Sequence, residues 1–387
     1  MRDYDCIAAD ISILIHVQSK YGNAVKNWQE TSRLFNRLVE LDGIGRKAAL
    51  AVIVRIRGST YRRPGAKLLV EEDGSIKGNV SGGCLENNVL EESMEVMRTS
   101  HSRIAHYDTG NDEDKVWGMG MGCNGEIDLL ISAFPSKTVY GFLSEAIDHL
   151  NGNTPFAIST VVEEGGDIIA AAVVSEKISR FFGDPSGELR TRLEEMSRAA
   201  LNDKDSLMER SDGMILFAEV LLPPPCMLVC GAGDDAISLV RVAADAGFRV
   251  VVADHRRAYL KQDRFPEAWR RLCIAPEDES VDLPVFSDTY AVVKTHSIVH
   301  DVAWMKRLSA LPIFYIGLLG PRDRRDEVIK QAGEVDLKRI YGPAGLDLGG
   351  DGPEHIALSI VAEALCVWSG RRPVHLRERT EAIHENQ

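Results

Sequence analysis

Between Asn27 and Asp42 the apolar positions Trp28, Leu34, Phe35, Leu38, Val39 and Leu41 fall at helical spacing, and the run stops at Gly43. That spacing predicts an amphipathic packing helix closed by a glycine. The pattern then shortens to the apolar runs Ala48 to Ile56, Ala66 to Glu71 and Ile76 to Val80, the last two joined through Asp73-Gly74, a hairpin signal. These predict three strands. Leu85, Val89, Leu90, Met94 and Met97 return to helical spacing. A polar connection follows from Asp108 to Lys115, and Ile127, Leu129 and Ile131 then alternate with Glu126 and Asp128 as a half-buried strand would. Ala157 to Val162 and Ile168 to Val174, on either side of a Glu-Glu-Gly-Gly-Asp turn, predict a hairpin. A helix is expected over Ser186 to Leu201, a charged exposed stretch over Asn202 to Asp212 and a strand over Gly213 to Leu222.

After Pro223-Pro224-Pro225, a stiff segment suited to a domain boundary, the pattern changes. Met227 to Cys230 is an apolar strand that runs into Gly231-Ala232-Gly233-Asp234-Asp235-Ala236, then a helix through Leu239, Val240, Val242, Ala243 and Ala246 to Gly247. Arg249 to Ala253 is a second strand, ending in Asp254, 23 residues beyond Gly231. Strand, glycine turn, helix, strand and acid at this spacing are the parts of a Rossmann βαβ unit. Ala291 to Thr295 ends in His296, Ile313 to Leu319 ends in Gly320-Pro321-Arg322, and Glu354 to Trp368 is an apolar helix. The reading is therefore α/β, with an N-terminal α+β domain over 1–222 followed by a C-terminal Rossmann-like doubly wound parallel sheet over 226–387.

Composition agrees with two ordinary folded domains: 387 residues, 44% hydrophobic and 27% charged, with no apolar run long enough to cross a bilayer. The acidic start Met1-Arg2-Asp3-Tyr4-Asp5-Cys6 is unlike a secretory leader, so the cytoplasm is expected. A net charge of −13 argues against a nucleic-acid surface, and the local basic run Arg55, Arg57, Arg62, Arg63 and Lys67 reads as a solvated face. Seven cysteines, an odd number with no C-x-x-C pair, fit neither a disulfide framework nor a zinc site, and no metal site is expected.

The candidate chemistry begins at Ser81-Gly82-Gly83-Cys84-Leu85-Glu86. A glycine pair there delivers Cys84 to a helix N-terminus, where unpaired N–H groups favour a thiolate that can act as nucleophile or soft-metal ligand. Gly118-Met119-Gly120-Met121-Gly122-Cys123-Asn124-Gly125 is a second glycine-dense loop, with four glycines in eight residues, and it carries Cys123. Glycine is too costly to order for that density to serve packing, so something approaches the backbone closely or the turn is very tight. In the Rossmann segment Gly231, Gly233 and Asp254 are placed to hold a nucleotide. Asp234 and Asp235, however, stand where a pyrophosphate would dock and either compete with it or cap the helix. His296, Gly320, Arg322 and the loop Gly342-Pro343-Ala344-Gly345-Leu346-Asp347-Leu348-Gly349 lie beyond carboxyl ends of strands, where open α/β sheets bind ligands.

With these segments in place the chain resembles the XdhC/CoxI family, the xanthine dehydrogenase and carbon monoxide dehydrogenase accessory proteins. The matching runs include Gly58-Ser59-Thr60, Pro64-Gly65-Ala66, Ser81 to Glu86, Gly122 to Gly125, Gly231 to Ala236, Asp254-His255-Arg256, Arg264-Phe265-Pro266, Thr295-His296, Tyr315 to Pro321 and Gly342 to Asp347. The resemblance implies a maturation factor that binds molybdenum cofactor, supports its sulfuration and hands it to a molybdenum hydroxylase, with a homodimer and a cysteine desulfurase among its expected partners. It also implies Cys84, Cys123 and Glu86 as the reactive groups, converging towards the turn at Gly231. Ser81, Gly82, Gly83, Gly122, Gly231, Gly233, Asp234, Asp254, Arg256, His296, Gly320, Arg322, Gly345 and Asp347 would hold the cofactor. The alternatives are an NAD(P)-dependent oxidoreductase that uses Gly231, Gly233 and Asp254 with Cys84 as redox group, and a nucleotide-sensing regulator with no chemistry.

Overall fold

A computed structural model describes residues 27–58, 60–108, 125–134, 137–152, 154–163, 168–211, 213–284 and 288–378. The chain divides into two compact units between Pro223 and Pro224.

The N-terminal unit opens with helix α1 (27–43), as its periodicity predicts, with Trp28, Leu34, Phe35, Leu38 and Leu41 buried. Val39 departs from the expected stripe and is 40% exposed. Strands β1 (Ala48–Gly58), β2 (Lys67–Glu71) and β3 (Ile76–Gly78) precede α2 (Glu86–Thr99) and then β4 (Arg103–Asp108) and β5 (Gly125–Phe134). Helix α3 (Lys137–Gly152) leads into β6 (Phe156–Glu163), β7 (Ile168–Ser175), β8 (Ser179–Phe182), α4 (Gly187–Asp203), β9 (Leu207–Ser211) and β10 (Met214–Leu221). The two five-stranded sheets run β3-β2-β1-β5-β4 and β8-β7-β6-β10-β9, antiparallel throughout. The second order is the first repeated strand for strand, with the helix inserted at the same place. The unit is thus an α-βββ-α-ββ arrangement used twice. One core gathers apolar side chains of α1, α3 and both sheets, among them Phe35, Leu130, Phe142, Phe156 and Phe217. Helix α2 covers another face of the first sheet with Val89, Val96 and Met97, while Met94, expected inside, is 40% exposed.

The basic run is not a free solvated face. Lys67 is buried, its Nζ donating to Gly65 O at 2.8 Å and to the buried carboxylate of Glu219 on β10. Arg55 pairs with buried Asp128 at 2.7 Å, Arg57 with Glu126 at 3.4 Å and Arg62 with Glu30 at 2.7 Å. These are cross-strand and loop partners that only the fold brings together.

The C-terminal unit comprises β11 (Cys226–Cys230), α5 (Asp235–Asp245), β12 (Arg249–Asp254), β13 (Arg270–Cys273), β14 (Thr289–Val293), α6 (Ile298–Ser309), β15 (Tyr315–Leu318), α7 (Arg322–Ala332), β16 (Ile340–Tyr341) and α8 (Pro353–Ser369). Its sheet is parallel with the order β13-β12-β11-β14-β15-β16, the doubly wound Rossmann order expected. All five residues of β11 and of β14 are buried, as central strands covered on both faces require. Helices α5 and α8 pack on one side, and α6 with Val328 of α7 belongs to a second core. Strand order reverses between β11 and β14, so the loops after these two strands flank the crevice where such sheets bind ligands. No helix among the described residues is long and apolar enough to cross a membrane.

Candidate functional site

The turn before α2 is fastened by one carboxylate. Ser81 N donates to Glu86 Oε1 at 3.0 Å, the Ser81 hydroxyl donates to Oε2, and that hydroxyl accepts from Gly83 N and Leu85 N at 3.1 Å each. Burial alone would raise the Glu86 carboxyl, but the bonds from the Ser81 side chain and nearby backbone N–H groups hold it below the usual range. Glu86 is therefore ionised and spent on the shape of the turn. Gly82 and Gly83 are exposed, and Gly83 has φ +111° with open space where a Cβ would stand, so its glycine serves the backbone conformation. Cys84 is a half-buried free thiol just ahead of Leu85, the first flanking residue of α2, and no side chain caps that helix end.

Strand direction places this turn. Gly58, at the carboxyl end of β1, pairs with Gly125 at the start of β5, and β3 runs in the same sense as β1. The chain leaving β3 towards Ser81, Gly58 at the end of β1 and the first residue of β5 all lie at one end of the first sheet. Tyr61, 66% exposed, joins them: a Cβ on Gly82 would lie 3.8 Å from its ring. Gly122 and Cys123 lie outside the described residues, but Gly125, two positions after Cys123, begins β5 at this same end. Tyr61 is absent from the sequence-predicted site; an aromatic beside Arg62 and Arg63 carries no period that singles it out.

In the crevice of the parallel sheet, Gly231 has φ +117°, and a Cβ there would sit 2.6 Å from Lys294 O. Asp254 Oδ2 accepts from Ala232 N at 2.7 Å and from Arg256 Nη2 at 2.8 Å, while Oδ1 accepts from Arg256 N at 2.8 Å and Nε at 3.0 Å. The acid expected to bind a ribose is thus saturated by its own chain. Asp234 makes no cap bond and pairs with Arg264 at 2.9 Å, whose Nη2 also donates to Ala232 O at 3.1 Å. His296 has φ +60° and sets Nε2 3.1 Å from Asp235 Oδ2. Lys294, which the pattern of the chain presents only as a strand end, brings its Nζ to 2.7 Å from the same oxygen. A lysine closing the run Ala-Val-Val is the one signal of it in the sequence.

Elsewhere Gly320 precedes α7, with a would-be Cβ 2.6 Å from Arg324 Cδ, and Arg322 is exposed in the first turn. Arg324 instead reaches Asp301 Oδ2 at 3.0 Å through Nε, and Thr295 Oγ1 donates to Asp301 Oδ1 at 2.6 Å. Gly345 N donates to Glu363 Oε2 at 2.8 Å, the oxygen that also accepts from Tyr315 OH at 2.6 Å; Asp347 is exposed. Among the described residues no group of His, Cys, Asp and Glu is arranged to hold a metal ion.

Burial would raise the Asp254 carboxyl, but the Arg256 guanidinium and the Ala232 and Arg256 N–H groups bring it to about 2. The resulting stabilisation, on the order of 2 kcal/mol, is complete above about pH 4 and is lost as the pH falls towards 2. Urea midpoints of wild type and Asp254→Asn between pH 5 and pH 2.5 should converge at the acid end. A constant gap would contradict this assignment.

Residues 227–364 match the XdhC Rossmann domain family and residues 44–108 the XdhC and CoxI family. The chain is 31% identical over 320 residues to a probable xanthine dehydrogenase subunit of Bacillus subtilis (strain 168), covering 82% of this chain and 92% of that protein. It is 36% identical over 102 residues to the molybdenum cofactor insertion chaperone PaoD of Escherichia coli (strain K12), 26% of this chain and 32% of that one. A crystal structure described as a xanthine dehydrogenase from Bacillus halodurans superposes with a TM-score of 0.73 at 27% identity, covering 87% of this chain and 96% of the other.

Proposed function

Since the chain belongs to the XdhC and CoxI family, we propose that it is an accessory protein that binds molybdenum cofactor, supports its sulfuration and passes it to a molybdenum hydroxylase of the xanthine dehydrogenase type. The observation that carries this reading is that the Cys84 turn and the start of β5 after Cys123 open from one end of the first sheet. Molybdenum cofactor would supply an anionic pterin with soft dithiolene sulfur. A half-buried free thiol on a turn of exposed glycines, beside an exposed tyrosine ring, is a donor set that fits such a group. Glu86 fixes the turn that presents the thiol, so it acts as a positioning residue, and Cys84 and Cys123 are the contacts with the cofactor. A cysteine desulfurase as sulfur source and a homodimeric state belong to the same proposal. The NAD(P) reading is the weaker one, because the acid that would take the ribose already has both oxygens occupied.

Protein purified from a molybdenum-replete host should carry pterin and molybdenum. The Cys84→Ala/Cys123→Ala variant should carry at least about tenfold less at matched protein, and client activity in cells should fall with it. Equal pterin in the two preparations, with equal client activity, would remove the cysteines from the proposal.

A further inference from the structure

One arginine joins the Cys84 turn to the loop that carries Tyr61. Arg62 Nη1 donates to Asn79 Oδ1, and Nη2 donates to Glu30 Oε2 at 2.7 Å. Asn79 follows β3 directly and lies two positions before Ser81 and five before Cys84. Glu30 belongs to α1 and is held from a second side, because the same Oε2 accepts from Lys67 N at 3.3 Å. The Arg62 side chain is 22% exposed and that of Glu30 12%, which sets this pair apart from the solvated ion pairs that contribute little.

The loop is also anchored away from the turn. Asn27 Nδ2 of α1 donates to Pro64 O at 3.1 Å, Gly65 N donates to Ile53 O at 2.8 Å, and Thr60 Oγ1 donates to Arg62 O at 2.7 Å. The turn has its own bonds between Ser81 and Glu86, and Val80 roots it in the core beneath α2. Those bonds fix the shape of each segment and leave the spacing of their exposed parts to the groups that cross from one to the other. Among the described residues, the Arg62 bond to Asn79 and the Tyr61 ring beside Gly82 make that crossing. A guanidinium is suited to the task. Its planar fork reaches two acceptors in fixed directions, whereas an ammonium on a flexible stem acts as a point charge.

We infer that Arg62 is a positioning residue of the candidate site: by holding Asn79 and Glu30 at once, it sets where the Cys84 turn stands relative to the Tyr61 ring. The consequence for the cofactor rests on the proposed function, in which a planar pterin meets both the ring and the thiol. The control of Cys84 does not rest on it and is read in the free protein.

The test is the rate at which iodoacetamide labels Cys84 in the full-length chain, followed by peptide mass spectrometry, with the exposed Cys273 of the other unit as internal reference. Arg62→Lys keeps a cation for Glu30 and loses the fork to Asn79. Its thermal midpoint should stay within about 2 °C of wild type, while Cys84 labelling relative to Cys273 rises at least about threefold as the turn opens more often. Asn79→Ala leaves the pair with Glu30 intact and should raise labelling by the same factor, and the double variant should go no further than either single one, because both remove one shared contact. Pterin carried by the Arg62→Lys protein from a molybdenum-replete host should fall in parallel. Pterin absent from wild type and variant alike, with Cys84 labelling raised, counts against the proposed function and for this inference. Cys84 labelling unchanged in both single variants overturns it. Faster labelling accompanied by a lowered midpoint in both variants overturns it as well, since a loosened unit exposes the thiol without any role for the spacing.

Discussion

Lys67→Met is expected to lower the stability of the N-terminal unit by about 3–5 kcal/mol, the usual cost of leaving one member of a buried ion pair without its partner. Lys67 is 1% exposed and Glu219 4%. They come from β2 in the first sheet and β10 in the second, and both line a cavity of about 50 Å³ walled chiefly by Phe35, Leu38, Leu130, Phe142 and Phe217. Burial pushes the Glu219 carboxyl up and Lys67 opposes it. Without the lysine, Glu219 must either stay charged among phenyl rings or take up a proton, so the loss should shrink as the pH is lowered. Lys67→Met/Glu219→Leu should recover most of the stability, because two apolar side chains of similar size carry no desolvation cost. Urea unfolding, followed by hydrogen exchange in β1 and β10, reads both effects. If the double variant is no more stable than the single one, the loss comes from packing and not from the orphaned carboxylate.

Gly231→Ala should cost about 3 kcal/mol in the C-terminal unit. The residue has φ +117°, which alone costs a residue with a Cβ about 1–3 kcal/mol. The new methyl would also meet backbone at Lys294 O, 2.6 Å away, and at Thr295 Cα, 3.2 Å away, and overpacking of this kind costs another 1–3 kcal/mol or so. No flexible side chain is available to move aside. The strain falls on the loop that carries Lys294 and His296, so amide protection in β14 should drop more than in β12, together with the thermal midpoint. Unchanged protection in β14 would mean that the two loops separate without cost.

The parallel sheet is legible in the sequence because each of its signals is local. Met227 to Cys230, the glycine turn, α5 and Asp254 lie within a few turns of chain and repeat a known grammar. The antiparallel half is harder to read. β4, β8 and β9 are short, partly polar edge strands, and their sequences RIAHYD, SRFF and LMERS carry no clear alternation. Helix α3 is absent from the predicted elements although Leu143, Ala146 and Leu150 hold helical spacing and are buried, so there the signal is present in the sequence. Within the candidate sites the glycine turns are visible and their partners are not. Arg55 meets Asp128 across 73 positions, and Lys67 meets Glu219 across 152. Glu86 looks like chemistry beside a cysteine, and its bonds to Ser81 make it the fastener of the turn. Lys294 looks like the end of a strand until Asp235 folds back onto it.

The doubled strand order of the N-terminal unit bears on ancestry. Two stretches of one chain that share their strand order, all their pairings and the placement of their helices are the mark of a segment copied in tandem. The later stretch kept plain connections: residues 212–213 join β9 to β10, and Gly183 to Ser186 lead from β8 into α4. At the matching places the earlier stretch carries residues 109–124 and the turn with Cys84. The connection between the first two strands differs as well, residues 59–66 in the earlier stretch against 164–167 in the later one. Both stretches contribute side chains to one shared core, so neither half of the repeat buries its apolar face alone.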